Sequence, residues 1–162
     1  MSSKLILSTK SFTNIKIPWN LTDEELRSSD TALINGNTIG GMCNSEELYL
    51  DANKNEMGSE YISSYNLGSV NMYLQQRYKI GGVINTLNTA CSSGANAISY
   101  GARLIKNGFA KRALVGGTDA LAKFTINGFN SLGILSSIEC RPFDAARSGL
   151  NLGEGAAFLV LE

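Results

Sequence analysis

The feature that most restricts the fold of this 162-residue chain is a strand pattern that passes directly into a helix pattern. The stretch GVINTL, at 82–87, is a short run of β-branched and apolar residues typical of a buried strand. Apolar side chains then recur at the helical offsets i, i+3, i+7, i+10 and i+14, and Asn107-Gly108 ends the pattern. The side chains that predict the apolar face of this amphipathic helix are Ala95, Ile98, Ala102, Ile105 and Phe109.

The alternation continues on both sides of this segment. The elements predicted before it are a strand in TALINGNTIGGM from Thr31 with a turn at Gly40-Gly41, a Ser45-capped helix in SEELYLDAN, and a helix over Leu67–Tyr78. Those predicted after it are a strand in RALVGG, a helix over Phe124–Leu135 and a closing strand in GEGAAFLVLE. Strands that alternate with helices form a layered, mostly parallel sheet covered by helices, so the predicted fold class is α/β.

One domain accounts for all of these elements. The patterns place an α/β domain at residues 31–162 and leave residues 1–30 poorly assigned. Within that first segment, Lys4–Ser8 has the pattern of a short strand, and Thr22 before three acidic residues is typical of a helix N-cap. A chain of this length can bury a core of its own.

The composition excludes several classes of partner. Lys plus Arg and Asp plus Glu number 14 each, so no basic field is available to bind nucleic acid. The opening MSSKLILST has an apolar run of only three residues, too short for a secretory signal. No later stretch reaches the roughly 18 apolar residues of a membrane span. We therefore expect a cytoplasmic protein with no membrane or nucleic-acid partner.

The cysteine and histidine content restricts the chemistry. Cys43, Cys91 and Cys140 include no CxxC pair, and the chain contains no histidine. A disulfide framework or a metal site is therefore not expected. The chain also lacks the side chain that most often serves as a general base near neutral pH.

Cys91 stands at the joint between the strand and the helix of the first pattern. The carboxyl end of a strand in a parallel sheet is where α/β proteins place reactive groups. There the free N–H groups of the first helical turn and the positive end of the helix dipole favour a thiolate. Ser92, Ser93 and Gly94 keep the next turn slim, so a thioester could approach the sulfur and a backbone N–H could receive an oxyanion.

The residues by themselves leave two interpretations of Cys91 open. A free cysteine is commonly a small, buried and inert side chain of the core. The alternative is a reactive thiol that takes part in catalysis or binding. The strand–turn–helix context makes a reactive thiol more plausible than it would be for an average cysteine, but it does not decide between the two interpretations.

Several motifs in a fixed order carry a family resemblance. TACSSGANAI, LVGGTDAL, FNSLGILS and RPFDAARSGLNLGEGAAFLVLE resemble, motif for motif, the β-ketoacyl-acyl carrier protein synthase family of the thiolase fold. INGNTIGGM, beginning at Ile34, resembles the first glycine turn of that family, so the resemblance runs from there to Glu162. It implies the amino-terminal half of a thiolase-like fold.

The resemblance also implies an activity, that of an acyltransferase of fatty acid or polyketide-type synthesis. In the family, the cysteine that matches Cys91 accepts an acyl group from the phosphopantetheine thioester of an acyl carrier protein. Decarboxylation of a malonyl-carrier protein then supplies the carbanion that attacks this acyl group. Cys91 is thus the implied catalytic nucleophile, and its N–H contributes to the oxyanion hole. The implied partner is acyl carrier protein, with no cofactor beyond the phosphopantetheine it carries.

Other matching positions have weaker implications. Phe129 and Asn130 resemble positions near the acyl pocket, although an aromatic residue at helical spacing is more often part of the core. Four residues match a polar cluster that braces loops around the site in the family: Arg141, Asp144, Arg147 and Glu154. Ser148 departs from the family pattern, in which aspartate is usual, and this departure puts the local polar pairing in doubt.

The second half of the family pattern is missing. That half supplies two histidines and a lysine for decarboxylation, and none of those motifs occurs here. We therefore expect the amino-terminal portion of a ketosynthase that is incompetent alone for the full condensation. The family dimerises through the strand that leads into its nucleophile, so the resemblance implies pairing with a second copy through Val83–Leu87, or with a partner that supplies the second half. The alternative is a non-catalytic thiolase-fold module for interaction or dimerisation.

Overall fold

A computed structural model of the chain describes residues 6–8, 21–43 and 66–162. Its helices and strands are, in chain order, β1 (Ile6–Ser8), α1 (Asp23–Arg27), β2 (Thr31–Gly36), α2 (Ser69–Tyr78), β3 (Ile84–Leu87), α3 (Ser93–Lys106), β4 (Arg112–Asp119), α4 (Lys123–Ser131) and β5 (Gly155–Leu161). The predicted Ser45-capped helix lies outside the described residues.

All five described strands form one sheet in the order β1-β5-β4-β2-β3. The strand β2 lies parallel to β4 on one side and to β3 on the other, with Leu33 opposite Leu114 and Ile84. The strand β5 runs antiparallel to both β4 and β1. Four strands therefore point the same way and only β5 is reversed, which confirms the predicted α/β class with a mostly parallel sheet.

Helices cover both faces of this sheet. Because successive side chains of a strand point to opposite faces, each strand contributes residues to two separate cores. The face under α1 and α2 is filled by Leu26, Leu33, Leu74, Ile80, Leu114 and Phe158. The face under α3 is filled by Ala32, Ile34, Ala97, Leu104, Ala110, Ala113 and Val115. The sheet is thus the middle of three layers, and it is covered by helices, as predicted.

The buried side of α3 is not the one that the sequence pattern predicts. It consists of Ser93, Ala97, Gly101 and Leu104. On the predicted face, Ile98 and Phe109 keep 37% and 69% of their surface exposed, so the prediction of this face was wrong. A Cβ at Gly101 would collide with the side chain of Val115, because the helix lies very close to the sheet. Such a close contact favours small residues, which do not stand out in a hydrophobic pattern. The larger apolar residues on the outer side do stand out, and they led to the wrong face.

The elements predicted within residues 1–30 are confirmed. The strand β1 lies within the predicted Lys4–Ser8 and pairs with β5. Thr22 caps α1 through a capping box: its hydroxyl accepts the N–H of Glu25 at 3.2 Å, and its own N–H donates to the Glu25 carboxylate at 2.7 Å. Leu26 then anchors α1 in the core.

The helix α4 ends at Ser131, short of the predicted Leu135. The N–H of Leu150 donates to the carbonyl oxygen of Ile134 at 2.9 Å, and the N–H of Ser136 donates to the carbonyl oxygen of Leu150 at 2.8 Å. The helix therefore ends early, and the residues that follow it pair with the segment around Leu150.

Candidate active site

Cys91 lies where the sequence predicts it, in the turn between β3 and α3. Its side chain is exposed, so the interpretation of a buried core cysteine is wrong. Because β2, β3 and β4 are parallel, the loops that follow them meet at one edge of the sheet. Cys91 therefore stands at this carboxyl edge, beside the loops that begin at Asn37 and Ala120.

The first turn of α3 lies almost in contact with the ends of two strands. A Cβ at Gly36, the last residue of β2, would lie 2.5 Å from the amide nitrogen of Gly94 and closer still to the carbonyl group of Ser93. A Cβ at Gly117 of β4 would lie 3.4 Å from the Cα of Gly94. Only glycine at Gly36 permits this approach, which fixes the helix start and hence Cys91 relative to the sheet.

The turn that precedes Cys91 is strained and closely bonded. Ala90 has a φ of 52°, in the left-handed region that residues with a Cβ seldom adopt. The hydroxyl of Ser93 accepts the N–H of Thr89 at 2.8 Å and donates to the carbonyl oxygen of Ala90 at 2.7 Å. The side-chain oxygen of Asn88 accepts the N–H of Ala90 at 3.3 Å. Hydrogen bonds on both sides thus hold the conformation that directs Cys91.

A carboxylate ties the loop after β2 to the end of β4. The Oδ1 atom of Asp119 accepts the N–H of Thr38 at 3.1 Å and that of Ile39 at 3.0 Å. The hydroxyl of Thr38 in turn donates to the carbonyl oxygen of Ala90 at 3.3 Å. Neither Asp119 nor Thr38 was predicted from the sequence as a residue of the site. The available signal was that each lies at the carboxyl end of a predicted strand.

An exposed thiol at a helix N-terminus has the arrangement that acyl transfer through a covalent thioester requires. The N–H groups of the first turn lack partners within the helix, and together with the helix dipole they favour negative charge nearby. A negative oxygen that formed beside the sulfur of Cys91 would be stabilised in the same way.

The polar cluster expected around the site divides into two parts. Arg141 forms an ion pair with Asp144 at 3.2 Å and also donates to a loop carbonyl. Arg147 donates to the carbonyl oxygen of Asp144 at 3.1 Å. Glu154 is bonded elsewhere, where it accepts the N–H of Leu121 at 3.3 Å. These are contacts that brace loops, of the kind the resemblance implied.

The departure from the family pattern at Ser148 keeps a polar partner. Its hydroxyl lies 2.7 Å from that of Ser136. Ser148 lines a cavity of about 880 Å³ whose wall also includes the half-buried Cys140. Cys43 is exposed, and none of the three cysteines is in a disulfide.

Phe129 and Asn130 lie on α4, a helix with no buried residue. Phe129 is half-buried and Asn130 is exposed. Phe124 on the same helix and Leu132 just after it are 71% and 67% exposed. The apolar side chains of α4 are therefore largely uncovered.

The described part of the chain contains neither a candidate metal site nor a candidate membrane-spanning helix. No group of three or more His, Cys, Asp or Glu residues there could hold a metal ion. Nor does any helix in that part have the length and apolar character that crossing a bilayer requires.

A family model and the similar proteins of known sequence all point to the same family. The family model for the N-terminal domain of β-ketoacyl synthases matches residues 19–162. The chain is 36% identical over 141 residues to "Probable polyketide synthase 10" of Dictyostelium discoideum, covering 86% of this chain and 5% of that protein. It is 33% identical over 159 residues to 3-oxoacyl-(acyl-carrier-protein) synthase 2 of Rhizobium meliloti (strain 1021), covering 89% of this chain and 37% of that protein.

Solved structures match in the same way. A ketosynthase from Xenorhabdus doucetiae, solved in complex with its chain length factor, superposes with a TM-score of 0.72 at 34% identity, over 82% of this chain and 34% of that one. A β-ketoacyl synthase from Burkholderia phymatum STM815 gives a TM-score of 0.74 at 26% identity, over 88% of this chain and 37% of that one. The chain thus spans less than two fifths of each of these relatives.

Proposed function

We propose a function from one premise: the chain belongs to the β-ketoacyl synthase family, whose N-terminal domain makes up residues 19–162. Its relatives include 3-oxoacyl-acyl carrier protein synthases and polyketide synthases, which are acyltransferases. In our proposal Cys91 is the nucleophile that accepts the acyl group. The observation that carries this role is an exposed thiol at the N-terminus of α3, directed by the strained turn at Ala90.

The first step is transfer of an acyl group from the phosphopantetheine thiol of an acyl carrier protein to Cys91. The thiolate attacks the thioester carbonyl, a new carbon–sulfur bond forms, and the bond to the carrier sulfur breaks. The proton lost by Cys91 balances the one gained by the released carrier thiol. The backbone N–H of Cys91 stabilises the oxyanion between these two events.

The second step is a decarboxylative Claisen condensation with malonyl-carrier protein. It needs groups that promote loss of carbon dioxide and stabilise the resulting enolate, a task for which histidine is well suited. This sequence contains no histidine. We therefore propose that residues outside these 162 supply those groups, and that the isolated chain stops at the acylated Cys91.

A carrier protein and a second protein surface are the proposed partners. One solved neighbour is a type II polyketide synthase acyl-carrier protein in complex with its ketosynthase, and another is a ketosynthase in complex with its chain length factor. In the present chain β3 is an edge strand of the described sheet, which supports pairing through Val83–Leu87. The uncovered apolar residues of α4 support docking of the missing half or of a second copy. A monomer by analytical ultracentrifugation at high concentration would contradict this pairing.

The alternative, a non-catalytic interaction module, uses the same surfaces without the thiol. Incubation with the octanoyl thioester of N-acetylcysteamine, followed by mass spectrometry of the intact protein and its peptides, separates the two. We expect one octanoyl group on Cys91, none in Cys91→Ser, and unchanged labelling in Cys43→Ser and Cys140→Ser. No transfer, or equal transfer to all three cysteines, would favour the interaction module. The cytoplasmic location remains a prediction from the sequence.

A further inference from the structure

Two adjacent serines follow Cys91, but only the second is buried. Ser93 has 4% of its surface exposed, and its hydroxyl bonds to the N–H of Thr89 and the carbonyl oxygen of Ala90. Ser92 is exposed, and its hydroxyl donates to Thr89, to the carbonyl oxygen at 2.8 Å and to the hydroxyl at 3.0 Å. Ser93 therefore contacts both residues that lead into Cys91, whereas Ser92 does not reach Ala90.

Ala90 is the residue that needs this support, because its left-handed φ is unfavourable for a side chain with a Cβ. Its carbonyl oxygen accepts the N–H of Ser93 at 3.0 Å, the hydroxyl of Ser93 at 2.7 Å and that of Thr38 at 3.3 Å. Strained residues of this kind persist only where their surroundings over-determine them. The shortest side-chain bond in this set comes from Ser93.

The Thr38 hydroxyl reaches Ala90 because the Thr38 backbone is itself held. Asp119 accepts the N–H groups of Thr38 and Ile39 with a single oxygen, across a separation of about 80 residues in the chain. The ends of β2 and β4 are thus linked to the turn after β3. Thr38 and Ser93 meet at the same carbonyl oxygen of Ala90, and their hydroxyls lie 3.4 Å apart. Removing the Asp119 carboxylate would therefore loosen the contribution of Thr38 to this group of hydrogen bonds.

We infer that Ser93 is a positioning residue for Cys91: its buried hydroxyl holds Ala90 in the left-handed region, and Asp119 supports the same carbonyl oxygen through Thr38. The sulfur and the N–H of Cys91 therefore keep one direction relative to α3 before any substrate arrives. The inference rests on the proposed function only where it concerns the role of Cys91 as a nucleophile; the positioning of Cys91 by Ser93 is independent of that role.

The rate of alkylation of Cys91 by iodoacetamide tests this role, with Cys140 in the same sample as the internal reference. In Ser93→Ala the relative rate at Cys91 falls about tenfold, equivalent to about 1.4 kcal/mol, because Ala90 relaxes and the sulfur no longer keeps its exposed direction. Ser93→Thr keeps the hydroxyl, and Ser92→Ala removes the neighbouring one. Ser92→Ala stays within about twofold of the wild type, whereas Ser93→Thr, whose added methyl group enters a buried position, still reacts faster than Ser93→Ala.

Asp119 provides a second pair of variants that does not alter the helix. Asp119→Asn retains a side-chain oxygen that can accept the two N–H groups, so its alkylation rate at Cys91 matches that of the wild type. Asp119→Ala removes the oxygen and lowers the relative rate about threefold, a smaller effect than that of Ser93→Ala because the bond from Thr38 to Ala90 is longer.

Hydrogen exchange at the Thr89 amide reports the geometry independently, and it becomes faster in Ser93→Ala. Equal alkylation rates in Ser93→Ala and the wild type overturn the inference, and they do so even if exchange at Thr89 changes, since Ser93 would then be merely structural. If wild-type Cys91 takes no acyl group from the thioester, the proposed function fails. The relative alkylation rates still decide the inference in that case.

Discussion

The contact between Gly36 and the first turn of α3 predicts a large effect from one added methyl group. In Gly36→Ala the new Cβ would lie 2.5 Å from the amide nitrogen of Gly94, whereas ordinary contact begins at 3.4 Å. The helix start must therefore move by at least 0.9 Å, the difference between these two distances. The nearest atoms all belong to backbone, so no change of rotamer can relieve the overlap.

The cost follows from what overpacking does in well-packed interiors. Added methylene groups typically destabilise a protein by about 1–3 kcal/mol. Because rigid backbone receives the overlap here, we expect about 3 kcal/mol, a large fraction of a typical free energy of unfolding. The same shift moves Cys91, which lies two residues before the start of the contact, so the alkylation rate at Cys91 should fall as well.

Urea unfolding followed by far-ultraviolet circular dichroism measures this cost, and Gly94→Ala is the matched control. A Cβ at Gly94 would meet only the Cα of Gly117, at 3.9 Å, so we expect no loss of stability in this variant. Equal unfolding free energies for Gly36→Ala and Gly94→Ala would refute the close approach of α3 to β2.

Three further predictions concern the core, a helix and the effect of pH. Leu104→Ala should lower the free energy of unfolding in urea by about 2–5 kcal/mol, and Phe109→Ala, on the exposed side of the helix, by less than about 1 kcal/mol. A larger effect at Phe109 than at Leu104 would mean that the face predicted from the sequence is the buried one. Gly128→Ala, with no atom within 4 Å of the added Cβ, should stabilise α4 by about 0.5–1 kcal/mol, seen as a higher Tm; a lower Tm would contradict this helix. Hydrogen bonds from the N–H and hydroxyl of Thr22 lower the pKa of Glu25 below its ordinary value of 4.5. Its contribution to stability is therefore present above that value and lost as pH falls through the lowered folded-state pKa, so Glu25→Gln should flatten this part of the stability profile measured by urea unfolding.

Local patterns were sufficient for the order of elements and for the place of Cys91. Short β-branched runs predicted the strands, because such runs suit the middle of a parallel sheet. The N-cap at Thr22 was also evident, since a capping box is complete within four consecutive residues. These features depend on residues that are close together in the chain, so they can be predicted from the sequence.

The contacts that shape the site were not visible in this way. Asp119 and Thr38 are about 80 residues apart, and their places at the ends of predicted strands do not show that they are partners. The burial of Ala97 and Gly101 in place of Ile98 follows from how closely α3 approaches β4. A pattern of apolar residues records hydrophobicity but not the distance between two elements.

The sequence alone therefore determined the succession of strands and helices, the family and the joint at which Cys91 stands. Tertiary structure decided which side of α3 is buried, and it decided that Ser93 faces inward while Ser92 faces water. The reason is geometric: parallel strands bring the ends of distant segments to one edge, and only there do Gly36, Thr38 and Asp119 come together with the turn before the thiol.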